Sequence, residues 1–153
     1  MKSVLILISA ILLLKSCGTS YNKTIDFADR IEVLSYQTVY ECDSTKDDES
    51  VKSGHAEPKC IQEKINLGNE KFAEIKKVLF EHAILNTSCT VNDCYEPRHS
   101  VVFYKENKRI AYVDICFECA QSRGEPIGCL TLKRSKEIQT YFKSLGIKYG
   151  LKE

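Results

Sequence analysis

Eight cysteines in 153 residues are the main chemical resource of this chain, and two of them stand as Cys116-Phe117-Glu118-Cys119. Paired thiols at that spacing exchange with disulfides, attach a c-type haem or help to hold a metal. Haem attachment needs a histidine directly after the second cysteine, and Ala120 occupies that position. A redox pair is activated where its first cysteine opens a helix, because the helix dipole favours the thiolate. Here the motif closes an apolar strand and Ala120–Gly124 reads as loop, which favours a structural role over redox catalysis. Upstream lies Pro97-Arg98-His99. His99 would orient or activate a thiolate only if both reached one sheet edge, and a loop histidine with a satisfied hydrogen bond is the simpler reading. Asp114, inside an apolar strand, must be paired or line a site, since an unpartnered buried carboxylate is costly. Arg98 and Arg123 are its candidate partners. The cluster to follow is therefore Arg98, His99, Asp114, Cys116 and Cys119, and no residue is assigned as catalytic.

A second arrangement draws on four cysteines. Cys89-x4-Cys94 followed by Cys116-x2-Cys119 resembles the spacing of a four-cysteine zinc ribbon, with a hairpin between the pairs. Zinc on Cys89, Cys94, Cys116 and Cys119, or a thiol-redox module at Cys116-x-x-Cys119, is the alternative to a chain that carries no cofactor. An oxidising compartment favours disulfides over bare thiolates. The candidates are Cys42, Cys60, Cys89, Cys94, Cys116, Cys119 and Cys129, an odd number once Cys17 is set aside. Loop length suggests that Cys42 and Cys60 staple the acidic stretch between them, and that Cys89 pairs with Cys94 across a short turn. Asp43, Asp47, Asp48 and Glu49 lack the regular spacing of a Ca²⁺ loop and read as solvated surface. His55 and His82 carry no role. Phosphate loops, a serine nucleophile elbow and an HExxH metal helix are absent from the sequence.

The elements that position these groups follow from periodicity. Ile31–Tyr40 is rich in β-branched and aromatic residues and predicts a strand, as does Ile61–Leu67. Asn69 is a candidate cap for a helix whose apolar stripe is Phe72, Ile75, Leu79 and Ala83. Ser100–Tyr104 and Arg109–Phe117 predict a hairpin across Lys105–Lys108. Ala111, Val113, Ile115 and Phe117 share one face of its second strand, while Ile110, Tyr112, Asp114 and Cys116 share the other. Both faces are largely apolar, so that strand is expected to be central. Ser135 is a candidate cap for a last helix carrying Ile138, Tyr141, Phe142 and Leu145, with Gly146 as its stop. The order predicts an α+β domain over residues 30–153: a small, mainly antiparallel sheet with two helices packed on one face, stabilised by disulfides.

The N-terminus supplies an address. Lys2, an apolar run from Val4 to Leu14, and then a small residue before Cys17 have the layout of an export signal over residues 1–16. The run is too short to span a bilayer, which takes about 20 apolar residues. Leu14-Lys15-Ser16-Cys17 resembles the lipobox of bacterial lipoproteins, although Lys15 stands where a small or apolar residue is usual. The resemblance implies that Cys17 becomes the acylated (palmitate-bearing) first residue, with the polar residues up to 29 as its tether. The 22 basic and 21 acidic residues nearly balance. Lys2 and Lys15 leave with the signal, so there is no electrostatic case for nucleic acid. Cys94-Tyr95-x-Pro97-Arg98-His99 with Asp114-Ile115-Cys116-Phe117-Glu118-Cys119 resembles small bacterial lipoproteins of an uncharacterised, Bacteroidota-type family. That resemblance implies a cell-envelope protein whose partner is the membrane, through its lipid anchor, and leaves its activity open. The expected function is non-enzymatic binding or scaffolding.

Overall fold

The computed structural model describes residues 20–42, 58–81, 83–86, 93–133 and 135–151. Cys17, Cys89, His55, His82 and the acidic run 43–49 therefore lie outside the described residues. A helix α1 (Ser20–Ile25) leads into strand β1 (Arg30–Tyr36) and a single helical turn α2 (Val39–Cys42). Strand β2 (Ile61–Leu67) precedes helix α3 (Phe72–Phe80) and strand β3 (Ala83–Asn86). Strands β4 (His99–Lys105), β5 (Lys108–Cys116), β6 (Gln121–Glu125) and β7 (Gly128–Leu132) follow, and helix α4 (Ser135–Leu145) comes last.

The seven strands form one sheet in the order β2-β1-β4-β5-β6-β7-β3, with every neighbour antiparallel. The fold is α+β, and β5 is the central strand as its two apolar faces require. Ile31 and Val33 of β1, Val101 and Phe103 of β4, and Ala111, Val113 and Ile115 of β5 meet Ile75 and Leu79 of α3 and Ile138, Tyr141 and Phe142 of α4 in one buried cluster. Both longer helices thus cover the same face. The opposite face carries a smaller cluster of Leu34, Tyr36, Val102 and Tyr112. No helix among the described residues is long and apolar enough to cross a membrane.

The hairpin joins β4 to β5 through Glu106 and Asn107, both with positive φ (50° and 63°). That is the turn geometry whose twist matches paired strands, and it normally draws Asn or Gly. Glu106 is held there from outside, since its N–H donates to the Asp29 carboxylate at 2.9 Å.

Several expectations are corrected. Residues 20–29 are not simply a tether: α1 forms, and Ile25 is buried in the main cluster. β1 ends at Tyr36, short of Tyr40. A 3-10 turn over Asn69–Lys71 precedes α3, and no side chain caps it. Ala83 belongs to β3 rather than to the helical stripe. Ala120–Gly124, read as loop, contains most of β6, whose inward residues are the small Ser122 and Gly124. A Cβ on Gly124 would lie 2.0 Å from the Tyr112 carbonyl oxygen, so only glycine lets β6 approach β5 there.

Candidate functional site

Strand alternation sends Tyr112, Asp114 and Cys116 to the face away from the helices. Asp114 is only 4% exposed. Its carboxyl is held by hydroxyls from β4, the adjacent strand, and from β1 beyond it. Tyr36 Oη donates to Asp114 Oδ1 at 3.4 Å and also lies 3.3 Å from the His99 carbonyl oxygen. Ser100, directly opposite Asp114 in the β4–β5 register, hydrogen-bonds the carboxyl as well. Tyr95 Oη donates to the Asp114 backbone carbonyl at 3.1 Å. Burial pushes the Asp114 carboxyl up to about 7, against the opposing pull of the two hydroxyls and of Arg109 and Arg123. Arg123 sits opposite Asp114 on β6, as one expected partner would. Arg98, the other, turns to Glu41 (2.8 Å) and Glu96 (3.8 Å) instead.

His99 points to the helix side. It pairs with Ile115, whereas Cys116, one residue further on, faces the other way. His99 therefore does not arm a cysteine; its satisfied hydrogen bond is the simpler reading, made on a strand rather than a loop. The imidazole, 1% exposed, packs against Phe117 (4.9 Å between ring centroids) and Phe142 (5.9 Å). Its Nε2 lies 2.9 Å from the Tyr149 carbonyl oxygen. A carbonyl only accepts, so Nε2 carries the proton. Burial holds the ring's pKa down at about 4, leaving it neutral near pH 7. His99 is thus a core histidine that fastens the C-terminal segment. Glu63 fastens the same segment by accepting the Lys148 and Tyr149 N–H groups (2.9 and 3.0 Å) and the Ser35 hydroxyl (2.8 Å). Burial alone would raise Glu63, but these donors together bring it below the usual carboxylate range.

Cys42 and Cys60 are disulfide-bonded with Cα atoms 5.5 Å apart, as their loop-closing positions suggested. Cys94 bonds to Cys119 rather than to Cys89. That pairing corrects three readings. Cys89 and Cys94 do not pair, Cys116 is a free buried thiol rather than a disulfide cysteine, and Cys94 and Cys119 are not available as zinc thiolates in this state. Cys129 is disulfide-bonded, with its partner outside the described residues. The turn that brings Cys116 and Cys119 together forms without glycine. Ala120 takes φ 51°, and its N–H donates to the Phe117 carbonyl at 3.3 Å.

A cleft of about 510 Å³ opens on the helix side beside the same turn. Phe117 and Glu118 form one wall; Ser135, Lys136, Gln139, Thr140 and Lys143 of α4 form the other; Gly150 closes the end. Sequence reading missed these α4 residues because the polar face of an amphipathic helix carries no signal that separates a ligand wall from a solvated surface. Tyr36, Tyr95 and Ser100 were missed because their meeting with Asp114 is set by long-range register. No protein-family model matches the chain, and neither the curated proteins nor the solved structures contain a match to it.

Proposed function

We propose that the chain is a lipoprotein of the bacterial cell envelope, anchored through Cys17, whose domain acts as a non-enzymatic binding module. The observation that carries the reading is the coexistence of an export-type leader with the Cys42–Cys60 and Cys94–Cys119 bonds. Such bonds persist in oxidising compartments and are rare in reducing ones. With Cys116 free and Cys129 bonded, a lipidated Cys17 requires that Cys129 pair with Cys89. The buried histidine and carboxylate serve the fold, whereas the cleft along α4 offers lysines, hydroxyls and an amide to a ligand from outside. With Glu118 facing Lys136 across it, that lining suits a small polar molecule. Fractionation of cells expressing the full chain tests the anchoring. The protein belongs in the membrane fraction with incorporated labelled palmitate, and Cys17→Ser releases it unlabelled. Equal membrane retention of Cys17→Ser would overturn the anchor.

A further inference from the structure

We propose that Cys94, Cys116 and Cys119 form a thiol–disulfide exchange centre that captures an external disulfide on Cys94. This is an activity separate from ligand binding in the cleft, and it does not depend on the lipid anchor. Three cysteines come together where β5 ends. Cys116, 2% exposed, is the free thiol among the described cysteines. Its S–H donates to the Cys94 carbonyl oxygen at 3.7 Å, and its sulfur accepts the Cys119 N–H at 3.4 Å. It is thereby held to the backbone of both cysteines that form the Cys94–Cys119 bond. Exposure rises across the trio, from buried Cys116 through half-buried Cys119 to exposed Cys94. Tyr36 and Tyr95 lie within electrostatic reach of both Asp114 and Cys116, so the thiol borders the buried carboxyl site.

The exchange needs no external oxidant in its first step. Cys116 gives its proton to solvent, and the thiolate attacks Cys119 Sγ. A Cys116–Cys119 bond forms as the Cys94–Cys119 bond breaks, and the electron pair leaves on Cys94 Sγ. The number of disulfides is unchanged, and negative charge moves from a buried sulfur to an exposed one, the cheaper place for it. In the second step the Cys94 thiolate attacks one sulfur of an external disulfide. A mixed disulfide forms on Cys94, and the external partner leaves as a thiolate. The substrate class is thus an accessible disulfide, on a protein or a small molecule. The direction is fixed by the fold: attack on Cys119 releases the sulfur that can reach a partner, whereas attack on Cys94 would release the half-buried one.

The test treats the full chain, in detergent and without denaturant, with 5,5′-dithiobis(2-nitrobenzoate) as the external disulfide. Thionitrobenzoate is expected to be released, and peptide mapping is expected to find the aryl adduct on Cys94 together with a Cys116–Cys119 bond. Cys116→Ser is expected to abolish the Cys94 adduct. An adduct on Cys116 with Cys94–Cys119 intact would overturn the proposal, and so would a trio that stays unlabelled until the chain is unfolded. The adduct position in the unaltered chain decides the question even if Cys116→Ser fails to fold.

Discussion

Asp114 and His99 sit on opposite faces of the sheet, and burial displaces their pKa values in opposite directions, to about 7 and about 4 from ordinary values of 3.8 and 6.5. Their effects on stability therefore oppose each other. The folded pKa of Asp114 is raised, so its contribution is complete below pH 3.8 and is lost as pH climbs through 7. The folded pKa of His99 is depressed, so the folded state resists protonation, and stability is lost as pH falls from 6.5 towards 4. Integrated from about pH 5 to about pH 6.5, Asp114 lowers stability by about 2 kcal/mol while His99 raises it by a similar amount. The unaltered protein thus gains almost nothing from the pair over that window, although each group titrates strongly. Asp114→Asn keeps an acceptor for Tyr36 and Ser100 but cannot ionise. Its stability, relative to the parent, should rise by about 2 kcal/mol over that window. His99→Gln keeps a donor for the Tyr149 carbonyl, and its relative stability should fall by about 2 kcal/mol over the same range. Urea unfolding followed by far-UV circular dichroism at several pH values reads both slopes. Variant curves that run parallel to the parent's would refute the assignment of two buried, oppositely shifted groups.

Other expectations follow from single contacts. Gly124→Ala places a methyl 2.0 Å from the Tyr112 carbonyl oxygen and must push β6 from β5. A loss of at least about 3 kcal/mol in chemical denaturation is expected. Replacing Cys42 and Cys60 together by serine removes a cross-link over 18 positions. That should cost ~3 kcal/mol, seen as a lower urea midpoint that matches the parent's under reductant once the other bridges are accounted for. Glu63→Gln leaves one neutral acceptor where a carboxylate took Lys148 N–H, Tyr149 N–H and the Ser35 hydroxyl. A loss of about 1–3 kcal/mol, with faster amide exchange at Lys148 and Tyr149, is expected.

What could be read from the sequence was what neighbours along the chain decide. The β4–β5 hairpin, the two faces of β5 and the stripe of α4 were legible because their periods are local. Cys42–Cys60 was legible because those residues bracket one loop. β6 was hidden because Gln121-Ser122-Arg123-Gly124 presents small inward residues where an apolar alternation would have signalled a strand. β3 was hidden because Ala83 continues the helical spacing of α3. The meeting of Ser100 with Asp114 depends on the irregularity between Phe103 and Tyr104, which shifts the hairpin register by one residue. A two-residue turn alone would have set Ser100 opposite Val113. Cys94–Cys119 joins segments on either side of that hairpin, so neither cysteine's neighbours announce it. His99 looked chemical because it precedes a cysteine-rich strand, yet pleating turned it into the core.

The central claim, a lipid-anchored envelope protein, is tested most directly by the intact mass of the chain isolated from membranes. A mature protein beginning at Cys17 and carrying the added mass of its acyl groups is the expected result. An unmodified chain beginning at Gly18 or later, or one retaining residues 1–16, would contradict it.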